Sequence, residues 1–407
     1  MHVLIVGGGA AGMAAAIAAA QRGHRVTVAE RGRKVLKKLG VTGNGRGNLL
    51  NCGAGQYFGD TDFAAQVLEH MPYERIAAFL EDAGIPLVHE AEGRMYPSSY
   101  LAASAVDALK WQAERLGVEM IANTRVVQIE KAKNGFAAHA VQTRFAPDIT
   151  LKSGRVKPGE AIGEDAVSFR CDRVIVTVGG AAAPMHGTDG TSYGLLRDLG
   201  HSMVPIRPAL SALLTEKKAV EGLSGQRVRT KLILCNAQGR LLHESEGEAL
   251  FAEDGVSGIA AMQLSRFAVP GCTLHMDLRQ AITGQADTDM NAWLKRRMET
   301  RDQCTLLLGA ASPALSAALM RRSGGSIEKL AQLIADYSVP VTGVRGFESA
   351  QVTAGGMKAA EFDPATMESR LVPGLYAAGE VLDVDGACGG FNLMFAFAGG
   401  LLAGNAE

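Results

Sequence analysis

Paired cysteines are missing from this chain of 407 residues. Its six cysteines, Cys52, Cys171, Cys235, Cys272, Cys304 and Cys388, are scattered, and no two form C-x-x-C or a metal-ligand spacing. That excludes a dithiol redox centre near the first elements and a zinc ribbon. No metal is expected, and the scatter suits thiols kept reduced in a cytoplasm. Charge of one sign is missing too: 41 lysines and arginines face 42 aspartates and glutamates, a net charge of −1. From that balance neither a nucleic acid nor a membrane surface is expected as a partner. Long apolar runs are broken or short. Met1 to Ala20 has no cationic start and is punctured by Gly7, Gly8, Gly9 and Gly12, unlike a leader peptide. Phe391 to Gly404 falls short of the roughly 20 residues that cross a bilayer. Aromatics make up only 5%, whereas 49 glycines point to tight turns and close backbone approaches, as α/β nucleotide folds require.

The apolar run His2–Val6 has the texture of a buried parallel strand. Glycines follow, then an alanine-rich helix from Ala10 to Gln21 closed by Gly23, and a second strand at Arg25–Ala29. This is a βαβ unit that starts at the first residue. Helices are expected at 62–83 and 99–116, with strand texture at 118–129 and 173–178. After Gly200 the texture changes: 230–235 and 240–243 read as a hairpin around Asn236–Gly239, 273–278 as a strand, and 287–299 and 326–336 as helices. From Gln351 the nucleotide-fold texture returns, with a strand at 375–378 and a helix at 392–404. The expected organisation is one α/β domain built from 1–202 and 346–407, interrupted by an insert at 203–345.

Gly7-Gly8-Gly9-Ala10-Ala11-Gly12 fits G-x-G-x-x-G. Gly7 allows the turn, Gly9 lets the backbone approach a pyrophosphate, and Gly12 lets helix and strand pack closely. The helix N-terminus then offers free N–H groups to phosphate. Glu30 ends the second strand 18 residues beyond Gly12, close to the offset of about 20 for a ribose-binding acid. Its carboxylate disfavours a 2′-phosphate. The choice between FAD and NAD falls at the other end of the chain. There Gly374–Gly379 runs into Glu380, followed by Asp383, Asp385 and Gly389-Gly390 before a helix that opens Phe391-Asn392-Leu393. A strand ending in Gly-acid late in the chain is similar to the second signature of glutathione-reductase-type flavoproteins. The helix N-terminus after it suits a reduced flavin's negative charge. Val174 to Gly180, with Thr177, Val178 and Gly179 at its end, matches a third flavoprotein motif, and Val126 stands where such folds lend backbone to adenine. Arg31, Lys37 and the loop Thr42-Gly43-Asn44-Gly45-Arg46-Gly47-Asn48 can wrap the pyrophosphate from the side opposite the helix.

The stretch Gly32–Lys34 through Thr42–Asn48 to Asn51 resembles the corresponding motif of the BaiN/YhiN-like NAD(P)/FAD-dependent oxidoreductases. Gly93–Pro97, Gly187–Gly190 with Tyr193-Gly194, Pro208–Leu210, Gly247–Phe251, Gly255–Gly258, Ala354–Gly356, Met367–Ser369, Gly379–Gly386 and Gly389–Leu393 extend the resemblance over the chain. It implies an α/β fold in which a glutathione-reductase-type, Rossmann-like FAD domain is interrupted by an insert with a β-barrel-like part and a helical part. Some members carry labels such as aminoacetone oxidase or 3-dehydro-bile-acid reductase. The family's usual cysteine is Gly47 here, so no role of that cysteine carries over.

No second G-x-G-x-x-G follows a strand, so a separate NAD(P)H domain is not expected. The leading expectation is hydride transfer between FAD and a small organic substrate, with NAD(P)H as donor and the insert covering the flavin. A flavin- and folate-dependent tRNA-modifying enzyme and a non-catalytic flavin-binding protein are the alternatives. Tyr96, His186 and Cys388 are the proton-donor candidates near the flavin, each read first as an ordinary packed or loop residue, and no catalytic residue is assigned.

Overall fold

Short apolar runs without helical periodicity become the central strands of a parallel sheet, because such strands are buried on both faces. The structure, a computed structural model, describes residues 1–150, 153 and 156–406. Strand β1 (His2–Val6), helix α1 (Ala10–Gln21) and strand β2 (Arg25–Ala29) form the expected βαβ unit. The sheet runs in the order Leu375–Ala377, Arg173–Val176, β1, β2, Glu119–Ile121. All of its pairings are parallel. Its register aligns Ala377 with Val176, Val176 with Val6, and Val6 with Ala29. The residues that follow each strand therefore emerge in one row along one edge.

Helix α1 is buried almost all round, as a helix covered on two sides must be. One covering element is the C-terminal helix Phe391–Asn405. A Cβ on Gly400 would collide with the Ala11 carbonyl oxygen, and one on Gly404 with that of Ala15. Residue numbers rise together along both helices, so they run parallel with their backbones in near contact. Their N-termini consequently open at the same end.

Several expectations are refined. The helix expected at 62–83 is two, Thr61–His70 and Tyr73–Asp82. Pro72 is the N-cap of the second, and proline biases the residue before it away from helix. Antiparallel strands Phe136–Phe145 and Ala161–Cys171 pair over most of their length. The second has little buried surface, which is why no alternation announced it.

The chain divides into two compact units, Met1–Ile206 with Val352–Glu407, and Arg207–Gln351. Each has its own apolar core. The second contains a closed barrel of six strands, in the order Leu213–Thr215, Gly255–Ser257, Leu241–Ala252, Arg227–Cys235, Thr273–Asp277, Val339–Val344. It also carries helices Met290–Met298, Pro313–Ser323 and Ile327–Ala335.

One polar cluster stitches the first unit together. His201, whose side chain is fully buried, pairs through Nδ1 with Glu361 Oε2 at 2.9 Å and through Nε2 with Ser369 Oγ at 2.9 Å. Its ring stacks on Phe362 at 4.5 Å. The order Ser–His–Glu looks like a hydrolytic relay, but Ser369 Oγ also accepts the N–H groups of Leu371 and Val372 and is buried. It is a clamp. Burial opposes ionisation of Glu361, but hydrogen bonds from Ser202 and His201 outweigh it and hold its carboxyl below the usual range. His201→Ala leaves Glu361 and Ser369 short of a partner and opens a cavity, so a loss of about 3 kcal/mol in urea unfolding is expected.

Candidate cofactor site

The aligned edge of the sheet gathers Gly7 after β1, Glu30 after β2, Thr177 after Arg173–Val176, and Gly379-Glu380 just after Leu375–Ala377. Gly7 turns at φ 104°. A Cβ there would lie 2.6 Å from the Thr177 carbonyl oxygen. Thr177 Oγ1 donates to the carbonyls of Val6 and Gly7, locking this turn to the third motif. A Cβ on Gly12 would sit inside the Gly7 carbonyl oxygen, whereas Gly9 has open space within 4 Å of its Cβ position. Gly9 caps α1 with no side-chain hydrogen bond. The first-turn N–H groups of Ala10, Ala11 and Gly12 therefore lack an intrahelical or side-chain acceptor. The C-terminal helix matches it: Gly390, at φ 104°, caps it without a side-chain bond, so the N–H groups of Phe391, Asn392 and Leu393 open at the same end. Asn392 holds the preceding turn, accepting from Gly386 N and donating to the carbonyls of Gly386 and Ala387.

Glu30 accepts from Gly8 N–H at 2.7 Å and Gly32 N–H at 2.6 Å. Burial nonetheless raises its pKa, against those two hydrogen bonds and against Arg31 and Lys37. Arg31 forms a two-pronged pair with Asp189, both distances 2.7 Å. That guanidinium and Thr191 hold the Asp189 carboxyl far below the usual range. Lys37 donates to the Met185 carbonyl. Its neighbour Lys38, not among the expected cofactor residues, reaches Glu380 Oε2 at 2.7 Å. Glu380 Oε1 accepts Thr353 N–H, so both carboxylate oxygens are engaged by protein. Gly379, at φ 82°, brings the backbone onto α1, with a Cβ position 3.1 Å from Ala11 Cβ. The Asp383 carbonyl accepts Asp60 N–H.

The loop Thr42–Asn48 is a run of unusual backbone. Gly43, Asn44, Gly45 and Gly47 all have positive φ, a conformation that turns successive N–H groups inward as an anion nest. Gly47 has a further constraint, since a Cβ would lie 3.1 Å from Ala102 Cα. This position is thus both left-handed and crowded. Thr42 Oγ1 donates to the Leu39 carbonyl just before the loop. Arg46 is turned outward to Glu90 at 2.6 Å and lies over the rings of Tyr96 and Tyr100, 4.6 and 4.7 Å from their centroids. Val126 lies in an antiparallel strand, Thr124–Lys131, outside the parallel sheet; Thr124 N–H donates to the Glu30 carbonyl. Tyr96 is buried, and burial pushes the Cys388 thiol up. Burial, then Lys37 and Lys38, lower the His186 pKa.

FAD fits this edge on three counts. Two helix N-termini converge beside glycines whose Cβ positions are open or forbidden. An acid, Glu30, ends β2 on the same edge, and a run of positive-φ residues lies in the loop that follows. Three buried polar atoms without partners lie on loops beside this edge: Asn48 Oδ1, His186 Nδ1 and the Tyr193 hydroxyl. Among the described residues no cluster of three or more His, Cys, Asp or Glu could hold a metal, and no helix is long and apolar enough to cross a membrane. A cavity of about 250 Å³ lies at the C-terminal ends of α1 and the last helix, lined by Gln21, Phe79, Gln112, Leu401 and Asn405 among others. It is remote from the glycine loops.

The fold and this edge define an FAD-dependent flavoprotein oxidoreductase of the Rossmann type. Residues 1–406 match the HI0933-like protein Rossmann domain family, and the chain belongs to it. It is 32% identical over 426 residues to a 3-dehydro-bile acid delta(4,6)-reductase of Clostridium scindens, covering 99% of this chain and 98% of that one. It is 26% identical over 407 residues to a ribosomal RNA dihydrouridine synthase of Escherichia coli, covering 97% and 95%. Among solved structures, a 3-ketosteroid-Δ4-(5α)-dehydrogenase from Rhodococcus jostii aligns over 99% of this chain and 95% of its own, with 17% identity and a TM-score of 0.49.

Proposed function

We propose that this oxidoreductase reduces a carbon–carbon double bond conjugated to a carbonyl group, with a nicotinamide as electron donor. What carries the reading is the chemistry shared by the two relatives' names. A delta(4,6) bond system in a 3-dehydro bile acid is conjugated to the 3-oxo group. Dihydrouridine is uridine reduced at a ring double bond conjugated to its carbonyl. For this chain the proposed reduction adds hydride to the conjugated carbon remote from the carbonyl and a proton to the carbon beside it, with NAD(P)H as the proposed source of the two electrons. Bound FAD supplies the hydride chemistry. The chain's residues bind and orient: the N-termini of α1 and the C-terminal helix for the phosphates and the flavin's anionic edge, Glu30 for ribose, and the Thr42–Asn48 loop for the pyrophosphate. The higher identity to the bile-acid reductase, 32% against 26%, and the net charge of −1 favour a small-molecule substrate over RNA.

Anaerobic stopped-flow mixing with NADH and NADPH, followed at the flavin band, tests the donor. Adding a 3-oxo-4,6-diene steroid, a simple cyclic enone or an unmodified rRNA transcript to the reduced protein then tests the acceptor. Rapid reoxidation by one of the enones, with saturated-bond product, is expected. Reoxidation by the transcript alone moves the substrate to RNA, and reoxidation by none of the three overturns the proposal.

A further inference from the structure

Tyr193 stands where the segment after the third motif turns into the helix Gly194–Arg197. The residue is only 3% exposed, and its ring belongs to the core of the first unit. Gly190 packs against it, with a Cβ position 3.7 Å from the ring edge. The ring thus sits in the core with its hydroxyl out of solvent. Yet that hydroxyl has no hydrogen-bond partner. Buried tyrosine hydroxyls are almost always paired, and one left bare marks a place that a ligand or an ordered water completes.

The surroundings indicate which. Burial, then the negative fields of Glu380 and Asp383, hold the phenol protonated, so the group is a donor looking for an acceptor. Glu380 is turned to Thr353 N–H and Lys38. The segment leading to Tyr193 is itself under constraint. Ala183 adopts φ 53°, a left-handed conformation costly for a residue with a Cβ. His186 on the same segment also has a bare buried nitrogen. Strain and unpaired polar atoms thus converge on one loop, which leaves the sheet at the edge where α1 and the C-terminal helix open.

We propose that Tyr193 is a cofactor-binding residue whose hydroxyl donates a hydrogen bond to an oxygen of bound FAD. The proposal rests on FAD binding and is independent of the substrate.

Tyr193→Phe keeps the ring and removes only the donor. FAD is stripped from the wild-type protein and the variant, each is titrated with FAD by fluorescence quenching, and thermal unfolding is followed with and without saturating FAD. The expected result is asymmetric. The stripped variant unfolds at the same temperature as wild type or higher, because a bare buried hydroxyl has been removed. Its Kd for FAD rises about tenfold, as loss of one such bond implies, and the gain in Tm on adding FAD shrinks. A Kd within twofold of wild type overturns the proposal. So does an equal loss of Tm in stripped and FAD-loaded forms, which would mean that the hydroxyl serves the fold. Wild-type protein that takes up no FAD would overturn the cofactor reading beneath it.

Discussion

Valine in place of Gly400 is expected to unseat the C-terminal helix and empty the protein of FAD. The cause is contact between backbones: a Cβ at this position collides with the Ala11 carbonyl oxygen, a main-chain atom in the first turn of α1 that cannot rotate aside as a side chain can. Overpacking of a core side chain costs about 1–3 kcal/mol, and a collision with main chain exceeds that range. Separating the helices also pulls apart the two N-termini that open on the cofactor edge, so stability and FAD content fall together. The adjacent Gly399 is the control. Its Cβ position is 3.1 Å from the flexible end of Met367, which can give, and 3.3 Å from Ala378 Cβ, a far milder contact than the main-chain collision at Gly400. Gly399→Ala gains about 1 kcal/mol of helix propensity and is expected to be near neutral. Even Gly400→Ala should lower Tm and FAD occupancy on purification. If the two alanine variants behave alike, close packing of these helices is not what holds the site.

That pair of helices shows where the sequence was legible and where it was not. Each half of the first βαβ unit is local: five apolar residues, glycines, an alanine run and a strand ending in Glu30 can be read in one window, and the structure has them at those positions. The late strand and helix were equally local. What joins them was not. Gly400 and Gly404 look like any small residues in an apolar helix until Ala11 and Ala15 face them. Lys37 and Lys38 are indistinguishable by pattern, and only the fold sends one to the Met185 carbonyl and the other to Glu380, 342 positions away. Arg46 illustrates the converse. Its place in a glycine loop suggested phosphate, and no local pattern announced the aromatic pair and Glu90 that engage it from another part of the chain. Tyr193 stood in the sequence only as part of a family motif, because burial without a partner is a property of the folded state alone.

Acidification is expected to release FAD, and Glu30→Gln to flatten that response. In the protein without cofactor, burial raises the Glu30 pKa above its ordinary 4.5. Above 4.5 the folded state then holds more proton at this site than the unfolded state. Its contribution to stability is therefore largest at low pH and declines as pH rises through the folded pKa. Cofactor binding has the opposite sign. Ribose hydroxyls donating to the carboxylate favour its charged form and pull the pKa down, so affinity for FAD rises with pH across the same window and falls on acidification. Glutamine cannot reproduce the arrangement. The carboxylate accepts Gly8 N–H on one oxygen and Gly32 N–H on the other, whereas an amide must set its NH₂ against one of those donors. The loss of one charge-assisted bond and the mismatch at the other should raise the Kd for FAD by about 10- to 100-fold at neutral pH. The stripped Glu30→Gln protein should lose less stability than that, because the buried charge is gone. Fluorescence titrations of both proteins with FAD from pH 4 to 8 decide the matter. Parallel pH profiles would mean that Glu30 does not meet the cofactor. A variant profile that is flat where the wild type climbs would mean that the acid ending the second strand holds the ribose.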